Sequence, residues 1–182
     1  MKRFLLMVAL LFIASIAVNA GVKDKVLLYL PNRILDATDI FSLGLGVGPA
    51  AKLELRATRA CDLGGGVGAA AYAVKDYNRQ YGGCLQNGYD WSFTCIGDED
   101  QQRTGSRWVK SDWYQYNGMP SYKAQEYNRF EGSRDYWEIG GEGGAGLIGR
   151  AAIHPINVAD FITGWFFIDL AGNDISSDDF ED

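Results

Sequence analysis

Residues 42–58, SLGLGVGPAAKLELRAT, alternate with a period of two. Leu43, Leu45, Val47, Pro49, Ala51, Leu53, Leu55 and Ala57 form one set. Ser42, Gly44, Gly46, Gly48, Ala50, Lys52, Glu54, Arg56 and Thr58 form the other. Successive side chains of a strand point to opposite faces, so this spacing predicts a strand with one apolar face and one glycine-rich, charged face. Gly48-Pro49 marks a bend, because proline donates nothing to a ladder. The alternation persists after Ala60, with Leu63, Val67, Ala69, Ala71 and Ala73 in one set. It returns over residues 136–153, where Glu138, Glu142 and Arg150 lie opposite Trp137, Ile139, Leu147, Ala151 and Ile153. Glycine on the polar face admits close approach by another backbone or by large side chains.

Two environments make such strands. In a soluble sandwich the charged face meets water and the apolar face the core. In a small membrane barrel the apolar face meets lipid, and opposite charges pair in the narrow interior. Lys52, Glu54, Arg56, Glu138, Glu142 and Arg150 are therefore the candidate interior ion network. Two short helices complete the picture. One is predicted over 33–41, capped by Asn32, with Asp36 and Asp39 on its wet side. The other is predicted over 156–167, with Pro155 in its first turn and Gly172 beyond the hydrophobic stretch. The fold class is mainly β: an antiparallel sheet or small barrel-like fold flanked by these helices. In the aromatic middle, 89–95 and 107–116 read as strands. GDEDQQRTG (97–105), NGMPSY (117–122) and 122–134 read as loop or turn.

The first twenty residues, MKRFLLMVALLFIASIAVNA, have a basic start, an apolar run and small residues at Val18 and Ala20. They read as a secretory signal peptide cleaved before Gly21. A single β-rich domain over 21–170 and an acidic tail over 171–182 follow. The net charge of −6 becomes −8 once Lys2 and Arg3 are removed, which leaves no electrostatic footprint for nucleic acid. Export places the chain in a bacterial outer membrane or periplasm, or outside the cell, with membrane lipid or another envelope component as partner. Oxidising surroundings permit disulfides. Of Cys61, Cys84 and Cys95, the pair Cys84–Cys95 is expected, around a turn at Asn87-Gly88. No zinc spacing occurs.

G-x-G-x-x-A at Gly64, Gly66 and Ala69 matches the outline of a dinucleotide loop. Such a loop needs an apolar strand, a tight turn and a helix in succession. Here the approach LRATRACDL is charged, and similar glycine spacing recurs at 44–48 and 140–149 inside strand patterns. No cofactor and no metal site is expected. His154 is the only imidazole, so any serine or cysteine nucleophile with a histidine base must use it. No G-x-S-x-G elbow occurs. The default role of His154 is structural and no catalytic residue is assigned. A small envelope hydrolase or acyltransferase built on His154 with a nearby serine and acid is the enzymatic alternative; a soluble exported binding domain is the other. PNRILDATDIFSLGLGVGP and VADFITGWFFIDLAGND resemble the ends of exported, glycine-rich bacterial envelope proteins. That resemblance implies export and a β-rich envelope protein, and carries over no catalytic residue.

Overall fold

The computed structural model describes residues 28–128, 132–170, 172, 174 and 175. The expected leader and most of the acidic tail lie outside them. The chain divides into two compact units, residues 39–155 and the two terminal segments.

The terminal unit holds α1 (Tyr29–Asp39, whose last residue belongs to the larger unit) and α2 (Pro155–Gly164, whose first does). Helix α1 starts earlier than expected and takes Pro31 into its first turn, where a missing N–H costs nothing. Asp36 is buried rather than wet, because Arg33 pairs with it at 2.7 Å one turn away. Asn32, predicted as a cap, instead exchanges hydrogen bonds with the Ile175 backbone. Helix α2 ends at Gly164, three residues before the expected limit.

The larger unit is one antiparallel sheet of β1 (Phe41–Thr58), β2 (Cys61–Asp76), β3 (Gln80–Thr94), β4 (Ile96–Gly105), β5 (Asp112–Gly118) and β6 (Ile139–Ile153). The order is β5-β4-β3-β2-β1-β6, so the last strand pairs with the first. Two expectations fail here. GDEDQQRTG is strand β4, not loop: its inner positions Glu99, Gln101 and Arg103 are polar because the inner face itself is ionic. Asn87-Gly88 is not a turn but the middle of β3, where Gly88 pairs with Gly68. Of the 107–116 segment only 112–116 is strand, and β5 runs on through Asn117 and Gly118, which were expected in a turn.

The β6 strand does not run straight. A Cβ on Gly144 would collide with the Leu147 carbonyl and the Ile148 Cα, and one on Gly140 with Ala151 and Ala152. Residues twelve apart in an extended strand are separated by roughly 40 Å. The chain therefore turns back around Gly146, whose φ of +74° only glycine adopts without strain. The β1 strand follows this turn, and its register against β6 shifts between Val47 and Ala51, at the predicted Gly48-Pro49 bend. Both ends of β6 are thereby brought together.

The two faces of the sheet invert the usual arrangement. Leu53 is 74% exposed while its neighbour Glu54 is 5% exposed. Leu43, Leu45, Leu55, Val67, Leu85, Phe93 and Leu147 are likewise exposed. Ile148, at 0%, is the bulkiest aliphatic residue on the buried side, with Ala70, Tyr72, Cys84 and Val109 around it. The outer face changes character along the sheet. On β4 and β5 it carries Asp98, Asp100, Gln102, Thr104, Gln115 and Asn117. The apolar field is continuous over β6, β1, β2 and β3, and on β4 and β5 it is reduced to Ile96 and Trp113.

Candidate functional site: a buried ionic face and a Ser–His–Asp relay

The six charged residues singled out in the sequence all lie on the inner face. Glu54 pairs with Arg56, and Arg56 also grips Asp62 at 3.0 Å and Glu138. Arg150 binds Glu138 at 3.2 Å and Asp76 at 3.1 Å. Lys52 stands 3.7 Å from both Glu142 and Asp90, and the Tyr72 hydroxyl donates to Glu142 at 2.6 Å. Glu138 holds Arg56 and Arg150 at once, although their levels on β1, Arg56 and Gly44, are twelve residues apart. Only the turn in β6 makes that possible.

Sequence reasoning missed half of this network. Arg59, in the β1–β2 turn, reaches Glu138 at 3.6 Å and Glu99 at 3.8 Å. Arg134 binds Glu99 at 2.7 Å, and its guanidinium lies 3.3 Å from the centre of the Tyr114 ring. Arg103 meets Asp76 at 3.0 Å. Of these, only Arg103 had a legible signal, as the third of the alternate polar positions Glu99, Gln101 and Arg103 in a segment read as loop. Asp39, expected on a wet helix face, is buried between Lys75 at 3.3 Å and Arg79 at 3.4 Å. Burial alone would push the Glu138 carboxyl up, but Arg56, Arg150 and Arg59 outweigh it and hold the group well below the usual carboxylate range. A cavity of about 10 Å³ lies among Lys52, Glu54, Arg59, Glu99 and Arg134. That is room for about one water.

At one end of the sheet the two limbs of β6 and the start of β1 build a second cluster. The 42↔152 register sets Ser42 beside His154, and the reversal of β6 sets Asp135, which precedes the first limb, beside the same ring. The Ser42 Oγ lies 2.7 Å from His154 Nε2, and His154 Nδ1 lies 2.9 Å from Asp135 Oδ2. The Ser42 hydroxyl also donates to Asp76 Oδ1 at 3.0 Å. His154 is 0% exposed and Ser42 1%. Tyr77 packs on the imidazole, 5.2 Å between ring centres. The residue types and distances are those of a nucleophile, base and orienting acid. The hydroxyl, however, is sealed, and it has a second acceptor.

Other expectations resolve by position. Gly64, Gly66 and Ala69 lie within β2, with no turn or helix after them, so they form no phosphate-binding loop. Cys61, Cys84 and Cys95 are free thiols. The expected Cys84–Cys95 bridge is absent from the structure: Cys84 is buried opposite Tyr72 near the start of β3, and Cys95 is exposed just past its end. Among the described residues no three or more His, Cys, Asp or Glu are grouped to hold a metal ion. Comparison with family models, curated proteins and solved structures finds no match to this chain.

Proposed function

We propose that the protein is an exported cell-envelope β-protein that seats its apolar outer face in lipid and serves as a structural element. The observation that carries this is the inversion of the sheet, with Leu53 outside and Glu54 within. An apolar field running over four strands has no reason to face water. Trp91 and Phe93 near one end of β3, and Phe41 and Ile153 at the paired ends of β1 and β6, suit the aromatic and aliphatic border of a bilayer. The mostly polar outer face of β4 and β5, with Ile96 and Trp113 at its strand starts, then lies toward the aqueous side. The inner face supports an ion-paired core. Carbonate washing of cell envelopes tests the reading. The protein is expected to stay in the pellet and to need detergent for release. Recovery as a monomer in the wash, soluble without detergent, would refute it.

The Ser42–His154–Asp135 geometry favours a second reading, an envelope hydrolase or acyltransferase. Fluorophosphonate labelling of wild type against Ser42→Ala tests it.

A further inference from the structure

We propose that the terminal unit carries a second lipid-contacting surface, formed by the outward faces of α1 and α2 and seated in the hydrocarbon of one leaflet. The two helices show the same inversion as the sheet, on residues that the sheet does not contain. On α1 the buried positions are Asn32, Arg33 and Asp36, while Leu30 and Ile34 are exposed. Asp36 is 1% exposed and Ile34, two residues earlier, 59%. On α2 the buried positions are Asn157, Asp160 and Gly164, spaced three and four apart along one face, while Ile162 is exposed. Trp165, Phe166 and Ile168 continue the exposed apolar run past the helix end. A helix at a water-washed surface turns these faces the other way round.

The polar residues find their partners inside the unit. Arg33 pairs with Asp36 at 2.7 Å and with Asp174 at 2.9 Å. Its guanidinium occupies the place a Cβ on Gly164 would take, which brings α1 against α2. Asn32 exchanges hydrogen bonds with the Ile175 backbone, and Asp160 accepts the Leu170 N–H at 2.6 Å. Over 28–38 and 156–168 the charged residues are Arg33, Asp36 and Asp160, and all are buried. Charges that turn inward and pair with one another are the pattern of a chain surrounded by hydrocarbon.

Lipid fits this surface better than a protein partner does. A protein interface has a polar rim around its apolar centre. Here no charged side chain stands at the outward positions over 28–38 and 156–168. A bilayer accounts for the inversion of the helices and of the sheet alike; a protein partner would account for one surface at a time. Length sets the depth. Helices of 11 and 10 residues rise about 16 and 15 Å, roughly half of a hydrocarbon core about 30 Å thick. Neither helix is long and apolar enough to cross a membrane, so each reaches into one leaflet only. This surface shares the bilayer inferred for the sheet, and so rests on that reading, but it is built from residues outside the sheet.

Photocrosslinking tests it. The full chain is reconstituted in phosphatidylethanolamine–phosphatidylglycerol vesicles with radiolabelled lipid. Single variants Ile162→benzoylphenylalanine, Leu53→benzoylphenylalanine and Gln115→benzoylphenylalanine report on the helices, the apolar sheet face and the polar sheet face, all at exposed positions. Lipid adducts are expected from Ile162 and Leu53 and not from Gln115. An adduct from Leu53 without one from Ile162 overturns the inference and leaves the reading of the sheet standing. An adduct from Ile162 without one from Leu53 supports the inference and overturns that reading. Labelling at Ile162 no stronger than at Gln115, or a crosslink from Ile162 to a second copy of the chain, overturns the inference. Quenching by chain-brominated lipid gives a second measurement. Trp165→Phe removes one of the five tryptophans, and the emission it removes is expected to be quenchable. Emission from Trp165 that brominated lipid leaves untouched overturns the inference too.

Discussion

Replacing Arg56 by alanine separates an ionic interior from a solvated strand face. The Arg56 side chain is 8% exposed and engages Glu54, Asp62 and Glu138 together. Its loss does not fall evenly on the three. Glu138 retains Arg150 and Arg59. Glu54 retains Arg59 at 4.0 Å. Asp62, 4% exposed, keeps no other lysine or arginine within ion-pair distance among the described residues, and its Oδ1 has no hydrogen-bond partner there. Removing one partner of a buried pair leaves an uncompensated charge and costs about 3–5 kcal/mol. We expect Arg56→Ala to destabilise the protein by that amount in urea unfolding, monitored by tryptophan fluorescence in a mild detergent. Adding Asp62→Asn to Arg56→Ala should restore about 1–3 kcal/mol, since the stranded charge goes with it. A loss below about 0.5 kcal/mol, the range of ordinary surface substitutions, would refute the reasoning. So would a double variant no more stable than Arg56→Ala.

Leu53→Arg places a charge in the apolar field and should cost roughly 2–4 kcal/mol in a bilayer, measured by unfolding from vesicles; an indifferent variant argues that this face meets water. Glu138 has a depressed titration in the folded state, so its stabilisation is present above the unfolded value of about 4.3 and lost as pH falls. Glu138→Gln should therefore flatten the acid limb of a stability–pH curve and leave a variant weaker than wild type at neutral pH. Gly64 has φ of +124° and its Cβ position is taken by the Leu53 carbonyl, so Gly64→Ala should cost at least about 1–3 kcal/mol in thermal melts. Cys61 and Cys95 each follow one step beyond the Asp62↔Thr94 pair and are exposed, whereas Cys84 is buried. Non-reducing peptide mapping of oxidised protein should link Cys61 to Cys95 and leave Cys84 a thiol; a Cys84–Cys95 peptide would refute this pairing.

Alternation made β1, β2 and β6 legible from sequence, because a period of two survives whichever face is buried. The same alternation could not say which face that was. Leu53 and Glu54 carry identical spacing in a sandwich and in an inverted sheet, and only the fold ranks them. The β4 strand was hidden for a related reason: Asp98, Glu99, Asp100, Gln101, Gln102 and Arg103 are polar on both faces, so hydropathy shows no period at all. The six-residue ion network could be named in advance because five of its members sit on strands with clean alternation and Glu138 continues that of β6 by one residue. Arg59, Arg103 and Arg134 could not, since each lies in a turn, a strand without apolar partners, or the connection before β6. The relay was half visible. His154 stood out as the lone imidazole, but Ser42 and Asp135 are joined to it by a register and by a chain reversal at Gly146, and neither is a local property.

The pairing of β1 with β6 also sets an order of assembly. The first strand synthesised has a neighbour on one side as soon as β2 follows, yet its other edge stays open until the last strand arrives, about a hundred residues later. Contacts of such sequence separation form slowly. Until they do, the unpaired edge of β1 presents free amides and carbonyls beside Leu43, Leu45 and Val47, a template for any other extended chain. A nascent chain cut short before Ile139 would keep that edge open for its lifetime. The glycines that let β6 curl into place thus also determine how long the protein remains adhesive during its own making.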